Sequence, residues 1–279
     1  GTGALTTATT VWWSNPVTEN NAGGSLATAG SIYLVTTNPA ATYSVDASKI
    51  ALIIKPGVSM FGPATSKDII TTNTQSYLWF EGSVDVTGDN TGLLLSTVSF
   101  SVLRNILVNN AKFDGILLNS NSVNNLLSNI TSSNNNSSGI EINNSSYNTL
   151  SNITTANNTN RGVQIFGSSD NILSNINVFN RGQVGFEILN GSNNLVTNLR
   201  AVRSNFGILV NGVAANNVLS NLTASENNTG IGFAITPLVS NNSILNVTAS
   251  NNNTYGLNIS ARNTILSNIT VSNTQSIGI

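Results

Sequence analysis

Glu141, Gln164 and Glu187 are the polar side chains whose types and spacing could support chemistry in this chain. Each falls between two apolar residues of a recurring Gly-anchored segment: Ile140 and Ile142, Val163 and Ile165, Phe186 and Ile188. Neighbours along an extended strand point to opposite faces, so the three polar residues face outward together as one column. If the segments stack as adjacent parallel strands, two steps separate the glutamates by about 9.6 Å at Cα. That is near the upper limit of the roughly 6.5–9.5 Å that separates acid from base in an inverting glycosidase. Glu141 and Glu187 are thus catalytic candidates. The competing and preferred reading is a solvated column in which Gln164 bridges two acids, with Arg161 and Arg181 as counter-charges and binding residues.

These residues need a scaffold with a strict repeat, and the sequence supplies one. An apolar residue, one spacer, Asn, then Ile, Leu or Val recurs around Asn105, Asn129, Asn152, Asn175, Asn198, Asn221, Asn246 and Asn268. The steps are 24, 23, 23, 23, 23, 25 and 22 residues. A fixed period of this size means stacked supersecondary units that bury their apolar face against each other. The glycine series Gly115, Gly139, Gly162, Gly185, Gly207, Gly230 and Gly256 runs in step with it. Apolar residues follow each glycine at the first and third places, which is strand periodicity. Strings such as SNNNSSG and TANNTNRG between the anchors are turn formers that compete with helix. Each coil therefore holds short strands and tight turns, and successive coils pair in parallel. The repeated Asn is expected to form an inward or bend-facing ladder of amides that satisfies turn backbone.

Composition narrows the function. The chain has no Cys, no His and one Met, only 8% charged residues and a formal net charge of −1. Ten scattered Lys and Arg do not make the basic stripe that phosphate backbones require, so nucleic acid is not expected as a partner. No apolar run approaches the roughly 20 residues of a membrane span, so no membrane insertion is expected. Neither a metal cluster nor a cofactor motif is present, and none is expected.

Residues 1–100 read as an N-terminal cap with irregular first coils, and residues 101–279 as regular Asn-rich coils of one continuous solenoid. A solenoid end exposes unpaired backbone and core, and Val11, Trp12 and Trp13 are the candidate plug. The repeat stops at Ile279 within a strand, which suggests either truncation or coverage by another subunit. The outward column Thr131, Thr154, Thr223, Thr248 and Thr270 is interrupted by Asn177 and Arg200. β-branched residues suit sheets, which explains it without ice binding. Among many Asn-x-Ser/Thr triplets, Asn136, Asn158 and Asn228 in turns are better glycan acceptors than the ladder asparagines.

From GSIYLV through IIKPGVSMFG and into the NxLSNIT coils, the chain resembles the right-handed parallel β-helix proteins of the pectin-lyase-like superfamily. The resemblance implies an all-β, right-handed parallel β-helix with coils of about 23 residues. It also brings enzymes to test against. The polygalacturonases and alginate epimerases of that group rely on a catalytic His, which is absent here. Pectate lyases use clustered carboxylates around Ca²⁺, whereas Asp114, Asp170, Glu141, Glu187 and Glu226 are spread over different coils. No family catalytic residue carries over. The expected function is therefore an extracellular, cell-surface or virion rod: a structural or adhesive shaft that self-associates or binds surface glycans. The alternative is a polysaccharide-degrading tailspike-like or lyase-like enzyme using Glu141 and Glu187, or acids near Asp114.

Overall fold

The computed structural model describes residues 15, 17–233 and 239–275. Their strands form two parallel sheets, of 13 and 11 strands, and the chain visits them alternately. Each strand pairs with its equivalent one coil later. In the first sheet Leu127, Leu150, Leu173, Val196, Leu219, Ile244 and Leu266 stack in register. In the second, Ile140, Val163, Phe186, Ile208, Ile231 and Leu257 do the same. The inward columns merge into one apolar core that runs from Leu26 to Leu257.

The glycine series has a steric cause. A Cβ on Gly139 would lie 2.7 Å from the carbonyl oxygen of Gly162, and one on Gly162 would lie 2.5 Å from that of Gly185. The coils approach so closely at this corner that no side chain fits between them.

The repeated asparagines stack from coil to coil at a bend, on the outside of the coils and not within them. From Asn105 to Asn268 all eight have φ between 51 and 55°, and all are exposed. Asn tolerates the left-handed region better than other non-glycine residues. One left-handed residue bends each eight-residue strand of the first sheet and shifts its in-out phase. Counting by two from Leu127 puts Asn129 inside, but the bend turns Asn129 out and Ile130 in. The side chains do bond from coil to coil, Asn175 Nδ2 donating to Asn152 Oδ1 at 3.1 Å and Asn198 Nδ2 to Asn175 Oδ1 at 3.0 Å, but on the outside.

A different set of asparagines does the internal work. Asn125, Asn148, Asn171, Asn194, Asn217 and Asn242 are buried. Each lies four residues before an exposed rung. The Asn171 Oδ1 accepts from the Asn148 backbone N–H at 2.9 Å, and its Nδ2 donates to the Ser145 carbonyl at 3.2 Å. The turn between the sheets thus has its buried backbone groups satisfied by the next coil's amide. A shorter buried run, including Asn135 and Asn158, serves the opposite corner. Of the three expected glycan acceptors only Asn136, exposed and followed by Ser137 and Ser138, fits: Asn158 is buried, and neither it nor the exposed Asn228 has Ser or Thr two residues on.

Residues 17–100 belong to the same two sheets. Val17–Glu19, Ile32–Val35, Ala51–Ile54, Trp79–Asp85 and Val102–Asn109 pair in succession. The irregularity here is local: Ser59–Phe61 also pairs with Trp79–Asp85, and register slips between Leu103 and Ile106. Val11, Trp12, Trp13 and Ile279 lie outside the described residues.

Candidate functional site

The outer face of the second sheet brings Glu141, Gln164 and Glu187 into one column, as direct register partners between Leu117 and Leu209. Their surroundings differ. Glu187 is only 3% exposed and Gln164 only 5%. Glu187 Oε2 pairs with Arg161 Nε and accepts a 2.8 Å hydrogen bond from Gln164 Nε2. Leu209, buried outside the apolar core, is the register partner of Glu187 on the same face. The arginine and the amide together hold the Glu187 carboxyl in one position and occupy its Oε2. Arg181 is not part of this group. It is exposed and borders a separate depression with Asn134, Asn157, Asn158 and Thr159.

Glu141 sits differently. It is half-buried, and its Oε1 accepts from Asn143 Nδ2 at 2.9 Å. Burial pushes its carboxyl above the ordinary range, and the negative charge of Asp114 pushes in the same direction. The Asn143 bond and the charge of Arg161 act the other way, and Glu187 adds a smaller upward push. Asp114 is 8% exposed, and its Oδ1 accepts the Ser138 backbone N–H at 2.8 Å. The geometry therefore separates two roles within one column: an ion-paired structural glutamate and a half-exposed carboxyl held towards its acid form. Sequence spacing placed the column but not this difference, which depends on Arg161 reaching over one coil.

A second polar cluster lies on the first sheet, around an acid that the sequence does not mark out by spacing. Glu81 is buried; its Oε1 accepts from Asn105 Nδ2 at 2.7 Å and its Oε2 from Trp79 Nε1 at 3.3 Å. Arg104 Nε lies 3.5 Å from Oε2, and its guanidinium stacks 4.9 Å over the Trp79 ring. Because each exposed amide donates back to the preceding coil, the ladder of amide dipoles has its positive end at Glu81. Glu81 also borders a cavity of about 570 Å³ with Leu34, Ile53, Lys55 and Leu107. The sequence signal for it was an acid directly after the apolar run YLWF in SYLWFEGSVDV.

Among the described residues, no group of three or more Asp, Glu, His or Cys could hold a metal ion. No helix among them is long and apolar enough to cross a membrane.

The fold defines a class. A family model described as "Right handed beta helix region" matches residues 68–234, more than half of the chain, and the protein belongs to that family. Solved structures agree on architecture. The catalytic domain of an α-1,3-glucanase, solved with tetrasaccharides, has a TM-score of 0.64 and 14% identity, over 95% of this chain and 60% of its own. The periplasmic alginate epimerase AlgG gives 0.57 and 16%, over 87% and 60%. The mannuronan C-5 epimerase A-module of Azotobacter vinelandii gives 0.59 and 11%, over 95% and 90%. The chain thus spans about 60% of the length of the glucanase domain and of AlgG. At these identities the likeness is one of fold. No curated protein matches the sequence.

Proposed function

We propose that this protein engages an elongated polysaccharide on the outer face of its second sheet and acts on it with Glu141 as proton donor. The observation that carries this reading is the raised carboxyl of Glu141, half-exposed beside Asp114. A carboxyl raised above the ordinary range by burial is better placed than an ordinary one to protonate the oxygen leaving a glycosidic bond. Asp114 is the nearby second carboxyl. The Arg161–Glu187–Gln164 network forms the fixed wall beside them. A flat, long sheet face suits a polymer better than a small metabolite. The structural neighbours, by their names, include alginate epimerases, a pectate lyase and an α-1,3-glucanase, which supports a polysaccharide partner and a location at or beyond the cell envelope.

One observation favours a second reading, a glycan-holding shaft without turnover. Glu187 is buried and ion-paired, so it is unavailable as the base of a Glu141–Glu187 pair. The two are separated by reducing-end release from alginate, polygalacturonate and α-1,3-glucan. The enzymatic reading expects release by the wild type and a loss of about 10²–10⁴-fold in Glu141→Gln. Release that Glu141→Gln leaves intact removes Glu141 as the acid, and no release from any polymer leaves the shaft.

A further inference from the structure

We propose that an aromatic track along one corner of the solenoid, made by Tyr77, Phe100 and Tyr147, is a carbohydrate-binding site distinct from the carboxylates of the second sheet. It rests on the reading that the protein engages a polysaccharide, and adds where the chain is held.

The corner that leads into the first sheet has one left-handed residue in each coil from Tyr77 to Asn263. In order these are Tyr77, Phe100, Asn124, Tyr147, Asp170, Asn193, Asn216, Asn241 and Asn263, with φ from 50 to 59°. The column is continuous, because the backbone N–H of Tyr77 donates to the carbonyl before Phe100, and that of Phe100 to the carbonyl before Asn124. Six of the nine are Asn or Asp, the side chains that tolerate this backbone. A bulky ring here is costly, and the same bend closes in six other coils without one. The fold therefore does not require the aromatics.

Nor does the core hold them. Tyr77, Phe100 and Tyr147 are 39, 48 and 59% exposed. Tyr77 and Phe100 stack with centroids 5.5 Å apart and planes 15° from parallel. Tyr147 follows two coils on, about 9.6 Å further along the axis. Exposed rings in a line along the axis fit a ligand that is itself linear and repeating. The outward column beside them adds Leu126, exposed, and Val102, part-exposed. Hydroxyls flank the rings: Ser76 and Ser99 bond each other at 2.7 Å, and the Ser146 hydroxyl accepts from the Ser169 backbone. Apolar faces edged by uncharged hydroxyls match the two sides of a sugar, its C–H face and its hydroxyl rim.

The test replaces all three rings by the residue the column otherwise prefers, in Tyr77→Asn/Phe100→Asn/Tyr147→Asn, so that the bend is kept. Native affinity electrophoresis is run with alginate, polygalacturonate, carboxymethyl α-1,3-glucan and galactomannan in the gel. The wild type is expected to be retarded by at least one. The triple variant is expected to bind that polymer roughly tenfold or more weakly, as three lost stacking faces imply, with its melting temperature unchanged or raised. Equal retardation of variant and wild type overturns the track, as does wild-type migration that no polymer retards. Wild-type self-association in ultracentrifugation that the variant lacks, without retardation, also overturns it and makes the strip a contact between copies. Glu141→Gln keeps the two readings apart. If it abolishes turnover while the triple variant binds normally, the catalytic site stands and the track falls.

Discussion

Replacing Asn171 by Leu tests whether the buried asparagines, and not the exposed ones, hold the coils together. Leu is similar in size but has no polar atom. The change removes the acceptor of the Asn148 N–H and the donor to the carbonyls of Ser145 and Ser169, at 2.9, 3.2 and 3.1 Å. Stranding two or three buried backbone groups at about 1–3 kcal/mol each gives a loss of roughly 3–6 kcal/mol. Asn175 is the control. Its two rungs are exposed, and Asn175→Leu adds the strain of a left-handed Leu, about 1–2 kcal/mol, for roughly 2–4 kcal/mol in all. Gly tolerates that backbone, so Asn175→Gly should recover most of the strain. At Asn171 the cost is orphaned hydrogen bonds, and Gly recovers nothing. Equilibrium urea unfolding measures both series, with thermal midpoints falling by about 2 °C per kcal/mol for a chain of this size. The reasoning is refuted if Asn171→Leu lies within about 1 kcal/mol of wild type, a fraction of the stranding cost, or if Asn175→Gly is as harmful as Asn175→Leu.

Three further outcomes follow from the geometry. Because the Glu141 carboxyl is raised in the folded state, the folded protein holds more protons than the unfolded one above the ordinary Glu value of 4.5. Stability from this group is full below that pH and is lost as pH rises through the raised folded value; stability–pH curves should be flatter for Glu141→Gln. Arg161→Ala leaves the buried Glu187 without its cation and should destabilise by about 3–5 kcal/mol, less what solvent recovers at a partly exposed arginine. Arg161→Ala/Glu187→Leu should restore most of that loss in a double-mutant cycle, and an additive cycle would deny the coupling. Gly162→Ala places a methyl 2.4 Å from Val178 Cγ1 and 2.5 Å from the Gly185 carbonyl. It should cost about 1–3 kcal/mol in urea unfolding, against no change if the corner can open.

The sequence by itself determined the period, the strand character and the inward columns. Those follow from local alternation, and the packed core uses Val163, Ile165, Phe186 and Ile188 as that alternation requires. The outward Glu141–Gln164–Glu187 column was readable for the same reason. Parity counting breaks at a left-handed residue, and no local pattern announces the bend. That is why inward and bend-facing placements both stayed open for Asn129 and its equivalents, which lie exposed at the bend. The buried set four residues earlier was visible as a second Asn spacing, but its burial was not. Tertiary structure also decided the chemistry of the column. Glu187 is ion-paired because Arg161 reaches it from the preceding coil, and Glu141 is raised by burial and by Asp114. Charge state depends on what lies within a few ångströms in space, and in a solenoid those neighbours are one coil, about 23 residues, away along the chain.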